Sequence, residues 1–430
     1  VYPDRTPHTG LLEYRNVYRP ARVVSFEQET RMLTVQNQMD FTDLKDAVEI
    51  RYEVSSDGIC QEKGVLPAIQ AKPGQTGSVR IKLSIPKCGT SYLKLFYYQK
   101  KEEALVPAGH VLGYEQIRLR TEDDRNQTAV KLLEQDKMPA ASDRPSVEIQ
   151  ETDETVILNG LDFTYVYDKK TGLFSRLRYE GRAYLDRPMK LNIWRAPVDN
   201  DMYVKEEWKR AQYDRAYARA YTTCVRRTRT TVEIRSSLSL SAASVQRMMD
   251  VEAVWEIDRL GGIRITLQVQ RNTEFPELPR FGLRLFLDGR FRQVSYCGMG
   301  PYESYADKHQ ASCYGRYHTD VAGLHEDYIR PQENGSHSGC DYVMLSDEAF
   351  GLAAASEQRF SFNASAYTQE ELEKKTHNYE LESSGSTVLC LDYAQNGIGS
   401  NSCGPMVPDR YRFDEENFTF CIKLVPYRKN

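Results

Sequence analysis

Val48-Glu49-Ile50-Arg51-Tyr52-Glu53-Val54 alternates apolar and charged residues without a break. A period of two places every second side chain on the same face, which is strand geometry; one apolar face and one wet face belong to an antiparallel sheet. Val79-Arg80-Ile81-Lys82-Leu83-Ser84-Ile85 repeats the pattern. Turn clusters lie between such runs, at Ser55-Ser56-Asp57-Gly58, Lys72-Pro73-Gly74-Gln75 and Pro86-Lys87-Cys88-Gly89. Short strands with this punctuation over about a hundred residues predict an immunoglobulin-like β-sandwich, here residues 15–122.

Outward from that segment the chain changes twice. Residues 1–14 carry two prolines and read as an irregular tail. Residues 123–146 continue a polar run that extends from Glu122 to Gln127 and contain Pro139 and Pro145; they read as a linker. From Val147 the period of two returns and continues to the end, predicting one large sandwich over 147–430. Asp168-Lys169-Lys170-Thr171-Gly172 is a hairpin turn between Phe163–Tyr167 and Leu173–Tyr179. Ile263, Ile265, Leu267 and Val269 alternate, as do Leu283, Leu285 and Leu287, and Phe418, Phe420, Ile422 and Leu424. One helix is expected near Lys205–Tyr217, and a short one after Thr368, an N-cap whose capping box Glu371 would close. The fold class is all-β.

With 430 residues, a 40% apolar fraction and a net charge of -4, the chain has room for large cores and lacks the basic excess of a nucleic-acid binder. No run is apolar and long enough for a membrane helix. Nine cysteines, odd in number and scattered, contain no C-x-x-C pair; the expectation is reduced thiols in a cytoplasmic protein. Val1 is not a natural start, so the chain is expected to be a fragment or a processed product.

Two stretches concentrate polar residues. One is Tyr296-Cys297-Gly298-Met299-Gly300-Pro301-Tyr302-Glu303-Ser304-Tyr305-Ala306-Asp307-Lys308, followed by Ile329-Arg330-Pro331-Gln332-Glu333-Asn334-Gly335. Aromatic faces beside carboxylates suit a sugar-facing surface or a wet interface between sandwich domains, and composition favours the interface. Glycoside hydrolysis needs two carboxyl groups flanking the bond; Glu303, Asp307, Glu326, Asp327 and Glu333 are the local carboxylates, none in a motif with that role. The other stretch is Arg195-Ala196-Pro197-Val198-Asp199-Asn200-Asp201. Asp199 and Asp201 invite a catalytic or metal reading, but a neighbouring guanidinium and loop amides predict a structural network. The seven histidines form no ligand spacing. Gln395-Asn396-Gly397-Ile398-Gly399-Ser400-Asn401-Ser402-Cys403-Gly404-Pro405 alternates small and hydrogen-bonding residues, which suits a tight connection or close approach to another molecule.

Taken together, these runs resemble the large bacterial β-galactosidases of glycoside hydrolase family two, with the Tyr2–Tyr14 segment, the Arg-Ala-Pro-x-Asp-Asn-Asp run, the Gly-Pro-x-Glu run, the Pro-x-Glu-Asn-Gly run and Phe360–Glu373 in the family's order. The resemblance implies a remnant of the catalytic barrel at 1–14, the immunoglobulin-like domain, and a supersandwich similar to galactose mutarotases. It also implies that both catalytic glutamates, and the residues holding magnesium and sodium, lie outside this chain, leaving it no catalytic, cofactor or metal residue. The loop residues Asn401, Ser402, Cys403 and Gly404 correspond to a family loop lining the outer galactoside site, where some relatives carry a stacking Trp and this chain has Cys403. Implied partners are a β-galactoside such as lactose, a catalytic barrel domain or large subunit, and further copies in a homo-oligomer. A stand-alone carbohydrate-binding module or a mutarotase-like enzyme remains the alternative.

Overall fold

The computed structural model describes residues 1–137 and 144–429, so part of the expected linker 123–146 lies outside the described residues. The chain forms two compact units: Val1–Thr128 with Met299–Tyr302 and His309–Arg316, and Ala129–Gly298 with Glu303–Lys308 and Tyr317–Asn430.

The first unit holds a three-stranded sheet, ordered Ala21–Glu27, Met32–Asn37, Thr76–Arg80, and a four-stranded sheet, ordered Ile59–Val65, Val48–Ser56, Ser91–Gln99, Val111–Leu119. Leu33 and Val35 from one sheet share a core with Ile50, Tyr52, Val54, Leu93, Leu95 and Tyr97 from the other. The expected strand Val79–Ile85 is shorter, ending at Arg80. Beyond it, side chains replace the ladder: Tyr52 Oη donates to the Lys82 carbonyl at 3.1 Å, and Ser84 N donates to Glu62 Oε2 at 2.9 Å.

The tail expected to be irregular contains a helix, Thr9–Val17, capped by His8 Nδ1 accepting from Gly10 N. Its polar side chains are in use: Glu13 accepts from the amides of His309 and Ala311 at 3.2 and 2.7 Å, and Asn16 Oδ1 accepts from Tyr114 N at 2.7 Å. Histidine is outside the usual N-cap set, so the helix start is not legible locally.

The second unit contains a five-stranded sheet, ordered Arg182–Ala183, Leu173–Tyr179, Phe163–Asp168, Thr155–Asn159, Glu148–Glu151, and a twelve-stranded antiparallel sheet. The larger sheet runs Leu185–Asn192, Arg280–Asp288, Ser386–Gln395, Phe350–Ser365, Asn417–Arg428, Ile263–Arg271, Met249–Asp258, Thr231–Ser241, Tyr217–Arg227; Gln293–Gly300, Cys313–Asp320 and Ser336–Ser346 complete it. Phe350–Ser365 is its hinge strand: Phe350–Ala355 pairs with Arg428–Lys423, whereas Ser361–Ser365 pairs with Asp392–Val388. One strand thus borders two neighbours in succession, and both sheets close over one core around Trp255, Leu285 and Phe420. The hairpin turn at Asp168–Gly172 forms, with Gly172 at φ +72° and its amide on the Asp168 carbonyl at 2.9 Å.

Two helical expectations need adjustment, and one further helix forms. Lys205–Tyr217 is not one helix: Val204–Arg210 is α-helical and Tyr213–Arg215 is a 3₁₀ turn, divided by Gln212 at φ +59°. The expected linker 123–146 contains the helix Gln127–Leu133 among its described residues. Its last carbonyl, Leu133 O, accepts from Arg264 Nη2 at 3.0 Å and from the buried Lys423 Nζ at 3.1 Å, so the sheet supplies the partners a helix end lacks. After Thr368, whose Oγ1 caps Glu371 N at 3.1 Å, the helix Gln369–Lys374 forms, but Glu371 Oε1 accepts from Glu382 N instead of closing a capping box.

Candidate functional site

The polar signatures of the second unit meet where strand Arg280–Asp288 faces Ser386–Gln395. The ladder slips there, pairing Phe281 with Ala394 and then Gly282 with Asp392. Gly282 permits the approach: a Cβ would lie 2.1 Å from the Leu391 carbonyl and 2.6 Å from Asp392 Oδ1. Arg280 and Asp392 therefore end up side by side, both at 0% exposure. Arg280 Nε donates to Asp392 Oδ1 at 3.1 Å and Nη2 to Oδ2 at 2.5 Å, while Nη1 reaches both Glu333 oxygens at 3.2 and 3.1 Å. Gln395 Nε2 adds a bond to Asp392 Oδ2 at 3.3 Å.

Around this centre the remaining motifs pair with one another. Arg195 donates to Asp201 through Nε at 3.2 Å and Nη2 at 2.7 Å, and to the carbonyls of Asn396 at 2.6 Å and Gly397 at 3.0 Å. Asp201 also accepts from Val198 N at 2.9 Å. Asp199 lies at the surface, where its amide and carboxylate bond the Gln332 side chain. The Asp-Asn-Asp run is thus a structural network. Glu303 is equally committed: Lys308 Nζ donates at 2.6 Å, Tyr328 Oη at 2.5 Å and Gly335 N at 2.9 Å. Gly335 holds φ +68°, and a Cβ there would lie 2.3 Å from the Leu324 carbonyl. Asn334 Oδ1 accepts from Glu326 N at 3.0 Å, and its own carbonyl accepts from Asn363 Nδ2. Asp327 is exposed.

Electrostatics separates these carboxyls. Burial is the largest influence on Glu303 and raises its pKa, but Lys308, Tyr328 and the Gly335 amide outweigh it and hold it below the usual range. For Glu333 and Asp392 burial prevails against Arg280 and pushes both up. The one guanidinium that bonds both carboxylates does not offset the desolvation of two buried charges.

This frame holds the loop. Asp307 accepts from Ile398 N at 2.8 Å and Gly399 N at 2.7 Å. Asn200 Nδ2 donates to the Gly399 carbonyl at 2.6 Å, and Ser402 Oγ donates to Asn200 Oδ1 at 2.8 Å. Beyond Gly399 the chain emerges: Ser402 and Cys403 are exposed, Asn401 and Gly404 half-buried, with Gly404 N on the Ser400 carbonyl at 2.7 Å. Arg280 and Asp392, the centre of the frame, belong to none of the motifs read from the sequence. Their signal is a charge beside a short apolar run, Arg280 before Phe281–Leu283 and Asp392 after Val388–Leu391. Among the described residues no group of three or more His, Cys, Asp or Glu is placed to hold a metal ion.

Comparison with known proteins gives the geometry a family. The chain is 39% identical to a β-galactosidase of Actinobacillus pleuropneumoniae over 428 residues and 30% identical to one of Staphylococcus xylosus over 430 residues. Each alignment covers 99% of this chain but only 40% and 42% of the relative, so the chain spans about two fifths of the length of the curated relatives it matches. The crystal structure of a galactose 1-epimerase from Lactobacillus acidophilus aligns over 66% of this chain and 99% of its own, at 8% identity and a TM-score of 0.37. The model for β-galactosidase domain 4 matches residues 33–120, and that for the β-galactosidase small chain matches residues 159–424. The chain therefore belongs to the β-galactosidase small-chain family, joined to a β-galactosidase domain 4.

Proposed function

We propose that this chain is the non-catalytic portion of a β-galactosidase that hydrolyses terminal β-D-galactose with retention of configuration. In that reading the barrel of the remainder holds the two catalytic carboxylates and the magnesium and sodium ions, and lactose is a substrate of the assembled enzyme. Residues 1–14, 15–122, 123–146 and 147–430 are then the end of the barrel, the immunoglobulin-like domain, a connection and the small-chain domain. The chain's own work is scaffolding, contact with the catalytic part and with other copies in a homo-oligomer, and presentation of Asn401, Ser402, Cys403 and Gly404 to the sugar's leaving-group side. Nine scattered cysteines support a reducing, cytoplasmic setting.

The observation that carries the reading is the contrast within one loop. Its base is fixed by Arg195, Asn200 and Asp307 in a buried network, while Ser402 and Cys403 stand in solvent. A rigid base under an exposed polar tip suits a loop that completes a site supplied by another part of the protein. The local carboxylates argue the same way: Glu303 and Glu333 are sealed in ion pairs at 3% and 4% exposure, leaving neither to protonate a leaving group or attack a sugar.

The test is kinetic. In the full-length enzyme, deleting Asn401–Gly404 raises KM for lactose several-fold and leaves the chromogenic galactoside turning over. The chain by itself turns over neither. Unchanged kinetics in the deletion refutes the loop's role; hydrolysis by the purified chain, lost in E303Q or E333Q, refutes the reading as a whole.

A further inference from the structure

On the second unit, away from the loop, lies a cleft of about 800 Å³ whose lining includes Arg182, Arg290, Arg292 and Lys429 against Asp347 and Glu348. Four cations face two anions on a chain of net charge -4. Outside that lining, Asp288 pairs with Arg290.

The cations are held in place. Arg290 Nε bonds Asp288 Oδ1 at 2.9 Å and its Nη2 bonds Oδ2, fixing one edge of the fork. Arg182 Nη2 pairs with Asp347 at 2.7 Å, and its guanidinium lies 5.0 Å from the Phe350 ring centroid. Asp347 is itself fixed by the amides of Ala349 and Phe350, both at 2.8 Å. Lys429 Nζ is anchored on the Asp347 carbonyl at 2.7 Å. Arg292 is tethered through Nε to the Gly289 carbonyl at 2.9 Å, which leaves its two terminal nitrogens for a ligand. Guanidinium forks tethered at one edge leave the other edge for the oxygens of a tetrahedral oxyanion.

A second cavity, of about 280 Å³, shares Gly289 and Arg292 with the first. Its lining is of another kind: Asp320, Ser383, Ser386 and Thr387, with the backbone of Gly385. Hydroxyls and a carboxylate are the partners of sugar hydroxyls. Arg292 therefore stands between a cationic compartment and a hydroxyl-rich one.

We propose that the paired cavities form a binding site for a small phosphorylated polyol of the hexose phosphate class, with the phosphate among Arg290, Arg292 and Lys429 and the hydroxyl body against Ser383 and Thr387. The site is independent of the galactoside reading, since it shares no residue with the loop or its frame.

The test is titration calorimetry on the whole chain at constant ionic strength, with glucose 6-phosphate, inorganic phosphate and glucose as probes. Glucose 6-phosphate binds at least tenfold more tightly than phosphate, and glucose gives no heat. R292Q weakens glucose 6-phosphate at least tenfold with an unchanged melting temperature. S383A reduces its advantage over phosphate. No binding of glucose 6-phosphate at millimolar concentration, or equal binding by wild type and R292Q, overturns the proposal. Phosphate binding as tightly as glucose 6-phosphate overturns the polyol half of it.

Discussion

Replacing Arg280 by Met removes the one cation that serves two buried carboxylates. Asp392 is 0% exposed and Glu333 4%, and neither has another guanidinium bonded to it. Breaking a buried pair by deleting one partner costs about 3–5 kcal/mol, because the other charge stays behind without compensation. Here two charges stay behind, so the upper end is expected. That is a large share of the ~5–15 kcal/mol by which a domain is stable. All three tryptophans, Trp194, Trp208 and Trp255, are buried in the second unit, so tryptophan fluorescence, excited selectively, reports its unfolding alone. With a urea slope of about 3 kcal/mol per M, the midpoint at pH 7 falls by roughly 1–2 M. Burial already raises both carboxyls with Arg280 in place, and its removal raises them further. The folded variant then keeps protons that the unfolded chain releases, so its deficit is greatest at neutral pH and shrinks as pH falls towards the ordinary carboxylate range. An unchanged midpoint at pH 7, or a deficit independent of pH between 5 and 8, refutes the charge count.

Three further outcomes are expected. Glu303, held below the usual value of 4.5, contributes stability that is fully present above that value and lost as pH falls through the lowered one; E303Q has a lower urea midpoint at pH 7 and a flatter acid limb, and parallel pH profiles for the two proteins refute this. Asp307→Ala leaves the amides of Ile398 and Gly399 without their acceptor, so their hydrogen exchange accelerates on the order of tenfold, as the loss of ~1.4 kcal/mol of protection requires; unchanged exchange at both amides counts against Asp307 as the clamp of the loop. Intact mass with and without reductant shows nine thiols, and a colorimetric thiol reagent reacts at once with the exposed Cys60, Cys88, Cys224 and Cys403 but reaches Cys390, whose thiol burial pushes up to about 12, only after denaturation; a mass shift that reveals a bridge contradicts the first half.

Much of the strand content was legible because the period of two is a local property: Val48–Val54 and Ile263–Val269 alternate in sequence as they do in the sheets. The hairpin at Gly172 and the N-cap at Thr368 were legible for the same reason, each being settled within a few residues. The motifs were visible as clusters of polar residues, and Asp201 was rightly given to Arg195 because the two are close in the chain. Elements whose partners are remote were not legible. The helix Gln127–Leu133 looks like linker until Arg264 and Lys423 cap its last carbonyl, and Val79–Ile85 looks like one strand until Tyr52 and Glu62 claim its far half. The centre of the loop's frame depends on tertiary structure most of all. Arg280 and Asp392 are 112 positions apart, and each alone reads as a charge beside a short apolar run. Only the pairing of their strands, with the slip at Gly282, brings them into contact, because desolvating either charge is tolerable only where the fold delivers the other.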